Sequence, residues 1–295
     1  MSVAATGFFD GVHLGHQKVI RTAKRIAEEK GLESQVVTFW PHPRSVLQQA
    51  AYDLRLLTSL QEKEVLFKAM GIDRVTVLDF TKAFSRLSTE EFIRDYLMAK
   101  CGVTHLVIGY DHRIGHDQGK TQEEMMEICR RCGLEVSRVE EFTLDGVVPS
   151  STKIRHLLEK GDVKRASAML GREYALKGVV VSGNHLGRTI GFPTANLKLY
   201  DPLKLVPENG VYAVRVTLGK EHFTGICNIG TRPTVSNNTT ISIETHILDF
   251  DEDIYGLDLG LEFVGRIRDE QKFTDLQHLK AQLETDKKSA VKYFL

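Results

Sequence analysis

The pattern of predicted secondary structure changes near residue 171, and this change constrains the fold more than any other feature. Before it, short strand-like segments alternate with helix-like ones; after it, strand-like segments follow one another with Gly, Asn and Pro between them. Alternating strands and helices are typical of a parallel sheet covered on both faces. Closely spaced strands without helices indicate a small antiparallel barrel. We therefore predict two domains, residues 1–170 and 171–295.

The elements of the first half follow from hydrophobic periodicity and helix caps. Its predicted strands are Ser2–Thr6, Gln35–Trp40, Arg74–Phe80, His105–Tyr110 and Glu135–Phe142. Its predicted helices include Gln17–Lys30, Thr121–Cys132, Ser150–Leu158 and Asp162–Leu170, and capping boxes predict two more after Ser59 and Ser88. In a parallel sheet of this kind, ligands bind beyond the carboxyl ends of the strands.

The second half is predicted to be mostly strand. Its predicted strands are Ala175–Ser182, Gly210–Leu218, Phe223–Ile229, Thr240–Phe250 and Leu257–Arg268. An amphipathic segment from about Thr274 to the carboxyl terminus predicts one closing helix.

Composition argues against several classes of partner. Lys and Arg together number 39, as do Asp and Glu, so the formal net charge is 0 and does not favour nucleic acid or an acidic membrane. No apolar run is long enough to span a bilayer, and the amino terminus lacks the pattern of a signal peptide. Four cysteines in so long a chain do not suggest a disulfide framework. We predict a cytoplasmic protein with reduced thiols.

The segment Thr6–His16 leaves the first predicted strand and enters a helix. A helix amino terminus offers free N–H groups and partial positive charge, which suit a phosphate. His13 and His16 are one helical turn apart, so their rings can converge on one ligand and stabilise charge while pyrophosphate leaves. Two alternatives stay open here: a metal site, for which a third ligand is missing, and an exposed turn with incidental histidines.

The segment GNHLGRTIGFPTAN at 183–196 is the second candidate site. It is not a P-loop, which needs G-x-x-x-x-G-K-[ST], and its polar surroundings argue against a membrane helix contact. Thr194 and Asn196 alternate on an extended segment, so both side chains can face one cation. Two neutral oxygens with phosphate oxygens and water suit Mg²⁺. A flexible turn without function is the alternative.

The first half resembles a known superfamily. His13-Leu14-Gly15-His16 after a first strand, with Ser150–Arg155 far downstream, resembles the nucleotidyltransferases. TFWPHPRSVL at 38–47 and GYDHRIGHDQGK at 109–120 resemble the adenylyltransferase module of prokaryotic bifunctional riboflavin kinase/FAD synthetases. The resemblance implies an α/β, Rossmann-like parallel sheet and catalysis by His13 and His16. It also implies contacts to the ATP phosphates from Gly7, Phe8, Asp10, Gly15, Ser151, Thr152 and Arg155. Contacts to FMN are implied from Pro41, His42 and Asp111.

The second half resembles riboflavin kinases from about Tyr174 to the carboxyl terminus. After the 183–196 segment, the similar stretches are NGVYAVRV at 209–216, CNIGTRPTV at 227–235, IETHILDFDEDIYG at 243–256 and RIRDEQKF at 266–273. The resemblance implies that Glu244 is the base toward the flavin 5′-hydroxyl, and that Thr194 and Asn196 hold the metal and ATP phosphates. It further implies ATP or flavin contacts by Gly183, Gly187, Arg188, Gly191, Pro193, Asn228, Arg232 and Arg268.

Together the resemblances imply one enzyme with two steps, in which ATP phosphorylates riboflavin to FMN and a second ATP adenylylates FMN to FAD. The implied cofactor is Mg²⁺, and the implied partners are the small molecules ATP, riboflavin and FMN, with no nucleic acid and no membrane. A weak homo-oligomer stays open. Phe8 replaces a common Asn of the first module, and His112 and Ile114 replace aromatic residues. These departures keep open an active kinase fused to a silent or altered nucleotidyltransferase.

A flavin-sensing or RNA-binding protein is the alternative from another class. The zero net charge argues against RNA. The complete Pro-Thr-Ala-Asn segment together with Glu244 argues against a barrel that only senses flavin.

Overall fold

Five parallel strands form the sheet of the first half of the chain. The computed structural model describes residues 1–47, 54–112, 114–115, 121–183, 187, 190–233 and 239–295. The strands are β1 Ser2–Thr6, β2 Glu33–Trp40, β3 Arg74–Asp79, β4 Val103–Ile108 and β5 Glu135–Arg138. Their order is β3-β2-β1-β4-β5, with every neighbouring pair parallel. The strand order therefore reverses between β1 and β4, which is where such sheets bind ligands.

Helices cover both faces of this sheet. They are α1 Leu14–Lys30, α2 Pro43–Leu47, α3 Leu60–Ala69, α4 Thr89–Glu91, which continues as a π-helix over Phe92–Lys100, and α5 Gln122–Arg131. The predicted capping boxes are confirmed, with Ser59 and Ser88 as the capping residues of α3 and α4. The apolar stripe of α1 packs with β1 on one face, while the π-helix and α5 pack on the other. Helix α1 begins three residues earlier than predicted because His13 is its cap.

A closed antiparallel barrel forms the second half, as predicted. Its strands are β6 Tyr174–Val181, β7 Ala195–Leu199, β8 Gly210–Leu218, β9 Glu221–Pro233, β10 Thr239–Ile247 and β11 Asp258–Arg268. The order around the barrel is β10-β7-β6-β11-β8-β9. Strand β7 was not predicted as a separate strand, yet it joins β6 to β10 and so closes the barrel. The predicted closing helix is α8, Leu276–Val291.

Two short helices, α6 Ser151–Leu158 and α7 Val163–Leu170, precede the barrel. The chain divides into two compact units, residues 1–151 and 152–295, which we call the first and second units. Helix α7 packs against β6 and β11 and buries Val163, Ala166 and Leu170. Across the described ranges, no helix combines the length and apolar character needed to cross a bilayer.

Candidate active sites

The β1–α1 loop, residues 7–13, lies at the switch point of the first unit and is held by hydrogen bonds to residues 57 and 58. The carboxylate of Asp10 accepts backbone N–H bonds from Leu57 at 3.0 Å and Thr58 at 3.1 Å, and the N–H of Gly11 donates to the Thr58 hydroxyl at 2.9 Å. Gly11 and the buried Val12 both have positive φ. A β-branched residue rarely adopts this conformation, so the surrounding packing must impose it.

His13 and His16 stack at the start of α1. Their ring centroids are 3.5 Å apart, and Nδ1 of His13 accepts the backbone N–H of His16 at 3.3 Å. A neutral His13 therefore carries its proton on Nε2. Gly15 leaves room for this arrangement, because a Cβ there would lie 3.2 Å from the His13 ring. Within the described ranges, the buried Nδ1 of His16 has no hydrogen-bond partner, so a ligand could use it.

Burial lowers the pKa values of two histidines of this site, His16 and His112. It lowers the pKa of His16 well below 6.5, and the charges of His13, Lys63 and His112 lower it further. Burial also lowers the pKa of His112 to about 4. Neutral imidazoles can donate hydrogen bonds to phosphate oxygens without first binding a proton.

The residues expected to contact FMN lie after β2 and β4. The His42 ring meets the Phe8 ring edge-on, with centroids 4.1 Å apart. Pro41 and Asp111 are exposed. Phe8 thus lies beside a residue expected to bind flavin, although the family resemblance implies that Phe8 contacts ATP.

The second segment that is expected to contact ATP phosphates includes the start of helix α6. The Ser151 hydroxyl donates to the backbone oxygen of Asp10 at 2.9 Å, which ties the first residue of α6 to the β1–α1 loop. Thr152 is exposed in the first turn of α6, and Arg155 is half-buried one turn later. Both belong to the second unit.

In the barrel, strand register places three polar residues in one row. Glu244 on β10 lies directly opposite Asn196 on β7 and opposite Asn228 on β9. Residues directly opposite on one face have Cβ atoms about 4.5–5.5 Å apart. All three line a cavity of about 300 Å³. Its apolar lining includes Ile190, Phe192, Val211, Ile226, Phe273, Leu279 and Leu283.

A second, smaller cavity of about 70 Å³ lies against the first. Its lining includes Phe250, Tyr255 and the acidic run Asp251–Asp253. Thr194 and Asn196 line both cavities. Two molecules bound in the two cavities would therefore meet at these two side chains.

The glycines of the 183–196 segment make room for this junction. A Cβ at Gly183 would lie 2.2 Å from the Asn196 amide, and one at Gly187 would lie 2.2 Å from the backbone oxygen of Phe192. Gly191 has a φ of +82°, which favours glycine. The Pro193 oxygen accepts the Nδ1–H of His246 at 2.8 Å, which holds the segment to β10.

Comparisons with known proteins match each half of the chain to a family model. The family model for FAD synthetase matches residues 1–153, and the one for riboflavin kinase matches residues 170–294. The bifunctional riboflavin kinase/FMN adenylyltransferase of Bacillus subtilis is 41% identical over 99% of this chain and 92% of its own length. The chain belongs to this bifunctional family. The Escherichia coli K12 relative with the same name is 35% identical over 99% of this chain and 92% of its own.

One solved structure is similar over nearly the whole chain. It is named a macrolide-efflux protein from Streptococcus pneumoniae, is 33% identical, and superimposes with a TM-score of 0.91. The match covers 98% of this chain and 93% of that one.

Within this bifunctional family fold, two residues expected to bind substrate have other partners. The Asp10 carboxylate faces residues 57 and 58, so it anchors the β1–α1 loop. Arg268 binds Asp286 on α8 through Nε at 2.9 Å and Nη2 at 2.7 Å, and its Nη1 donates to the Asp269 oxygen. These contacts hold both side chains in place, and Arg268 also lines the larger cavity. Arg188 and the side chain of Arg232 lie outside the described residues.

Three residues of these sites were missed by sequence reasoning. His246 lies two residues after Glu244 on the same strand face, so its spacing could have revealed it. Lys63 and Asp286 are buried charges within helices. Their sequence neighbourhoods resemble ordinary helix surfaces, so no local signal marks them.

Removing Asp286 should destabilise the second unit. Asp286→Ala leaves the Arg268 guanidinium largely buried without its carboxylate, and breaking such a pair costs about 3–5 kcal/mol. Hydrogen exchange of peptides from β11 and α8 measures the effect. Glu284→Ala, an exposed carboxylate on the same helix, should change stability by less than about 0.5 kcal/mol. Equal protection in both variants would contradict a stabilising ion pair.

Proposed function

We propose that this chain phosphorylates riboflavin with ATP in the second unit and adenylylates the resulting FMN with ATP in the first. The observation that carries the proposal is the junction of two cavities at Thr194 and Asn196, with Glu244 opposite Asn196. The larger, largely apolar cavity suits a flavin. ATP would reach Thr194 and Asn196 from the side of the smaller cavity. Membership of the bifunctional family supports both steps.

In the kinase step, we propose that Glu244 takes the proton of the riboflavin 5′-hydroxyl. The hydroxyl oxygen bonds to the γ-phosphorus of ATP, the bond to the β-phosphate oxygen breaks, and ADP leaves. Asn228 and Asn196 flank the carboxylate and can orient the reacting groups by hydrogen bonds. The step therefore depends mainly on positioning and on charge stabilisation.

We propose that Thr194 and Asn196 hold the Mg²⁺ that accompanies ATP. Gly183 leaves the space that the Asn196 amide occupies. The hydroxyl oxygen of Thr194 and the amide oxygen of Asn196 are two neutral donors, which suit an ion bound partly by phosphate oxygens. Within the described ranges, no group of three or more His, Cys, Asp or Glu side chains could hold a metal. An ion that enters with the nucleotide fits this donor set, and it would neutralise phosphate charge.

In the adenylyl step, the FMN phosphate attacks the α-phosphorus of ATP and pyrophosphate leaves. We propose that His13 and His16 hydrogen-bond to the phosphate oxygens as negative charge moves onto pyrophosphate. We further propose that Phe8 and His42 contact FMN, and that Ser151, Thr152 and Arg155 contact ATP.

The described cysteines are free thiols, which accords with a cytoplasmic location.

The decisive experiment incubates the protein with riboflavin, ATP and Mg²⁺ and separates the flavins formed. Both FMN and FAD are expected. A parallel incubation with FMN and ATP tests the adenylyl step alone. FMN without any FAD in either incubation would instead favour an active kinase with a silent nucleotidyltransferase.

We also propose that the two halves function separately. A fragment of residues 171–295 should convert riboflavin to FMN and make no FAD, since about 120 residues suffice for a domain. Residues 152–295 should do the same with a higher melting temperature, because they keep the buried face of α7. A cooperatively melting fragment without kinase activity would contradict the proposal.

A further inference from the structure

Lys63 is a buried charge beneath the β1–α1 loop that the proposed mechanism does not yet use. It lies on α3 and is 0% exposed. Its Nζ donates to the backbone oxygen of Phe8 at 2.9 Å and lies 3.7 Å from the centroid of the Phe8 ring. A leucine or methionine could fill the same space without the cost of burying a charge.

The ammonium group is only partly satisfied by the protein. It carries three N–H donors. In the part of the chain that the structure describes, the Phe8 oxygen is its one hydrogen-bond acceptor, and no carboxylate lies within ion-pair distance. A buried charge with spare donors, beside a loop that we propose binds phosphate, indicates an anionic ligand.

The charge of Lys63 also reaches the histidine pair. Burial lowers the pKa of Lys63 to about 8, opposed by the carboxylates of Asp10 and Glu64, so the group is mostly protonated at pH 7. Its charge is in turn one cause of the lowered pKa of His16. The charged and titratable groups facing the ammonium are therefore Asp10, Glu64 and His16.

We propose that Lys63 is a positioning residue of the adenylyl-transfer site, whose fixed positive charge stabilises the phosphate chain of ATP and the pyrophosphate that leaves. The inference rests on the proposed function of the first unit. The charge acts from beneath the loop, while the hydrogen bond holds the Phe8 carbonyl and with it the course of the loop. Such a preformed charge requires no reorganisation during the reaction.

Three substitutions separate charge from packing. Lys63→Gln keeps a donor for the Phe8 oxygen without the charge, Lys63→Met removes both, and Lys63→Arg keeps the charge. FAD formation from FMN and ATP should fall about 10- to 100-fold in the Gln and Met variants, mainly in kcat. The Arg variant should retain most of it, as should Lys68→Gln, an exposed lysine on the same helix. FMN formation from riboflavin should be unchanged in all four.

Two results would overturn the proposal: FAD formation near the wild-type rate in Lys63→Gln, or equal loss in the Gln and Arg variants. Equal loss would indicate packing alone. The wild-type protein is assayed first, and if it makes no FAD, the proposed function of the first unit fails instead.

A pH profile of the wild-type protein tests the charge without relying on a folded Gln or Met variant. Because Lys63 loses its proton as the pH rises through about 8, kcat/KM for FAD formation should decline there. Lys63→Arg should lack this decline, since a guanidinium stays charged. A wild-type profile that is flat to pH 10, or an Arg variant with an unchanged decline, would overturn the proposal.

Discussion

Replacing His13 and His16 together by alanine should cut FAD formation by about two orders of magnitude or more. The two stacked rings are the hydrogen-bonding side chains at the amino terminus of α1, where negative charge would develop as pyrophosphate leaves. FMN formation should persist, because Glu244, Thr194 and Asn196 all lie in the second unit. Separate assays with riboflavin plus ATP and with FMN plus ATP measure the two rates.

The matched control for this double substitution is His156→Ala with His278→Ala, two exposed histidines of the second unit. It should leave both rates unchanged. Thermal melting shows whether the first unit of the His13/His16 variant remains folded. A folded variant that loses both activities equally would contradict the assignment of the two steps to two sites.

Glu244→Gln should lower the rate of riboflavin phosphorylation by about a hundredfold to ten-thousandfold, the usual contribution of a general base. The amide keeps the size of the side chain and its place between Asn196 and Asn228, but it cannot accept the hydroxyl proton. Riboflavin binding, measured by quenching of flavin fluorescence, should therefore change little. FAD formation from added FMN should continue, because the first unit performs it.

Glu262→Gln, an exposed glutamate on β11, is the control for this substitution. It should retain full kinase activity. Normal turnover in Glu244→Gln would show that the carboxylate is structural. Loss of riboflavin binding together with turnover would instead place Glu244 in flavin recognition.

Much of the fold could be predicted because its signals are local. The apolar stripe of α1, the capping boxes of α3 and α4, and the closely spaced strands after Gly171 each depend on residues within one or two turns of one another. The strand β7 was not separated because it is short, and its place is set by pairing with β6 and β10 rather than by its own sequence.

In the candidate sites, too, local sequence signals predicted some features, while contacts between distant segments decided others. Local spacing alone placed His13 beside His16 and placed Thr194 on the same face as Asn196. Spacing does not reveal that Asp10 is held by residues 47 and 48 positions away, or that Arg268 is bound by Asp286. Asp10 and Asp286 each lie in a local sequence that would also suit an exposed side chain.

The sequence by itself determined the two kinds of fold, the order of most of their elements and the residue types available for chemistry, because periodicity, caps and turns depend on near neighbours. Only the tertiary structure decided which of those residues meet. Strand register aligns Asn196, Glu244 and Asn228, and helix packing buries Lys63 beneath the β1–α1 loop. Register and burial are set by contacts between distant segments, and a one-residue shift in pairing would turn Glu244 to the opposite face of its strand.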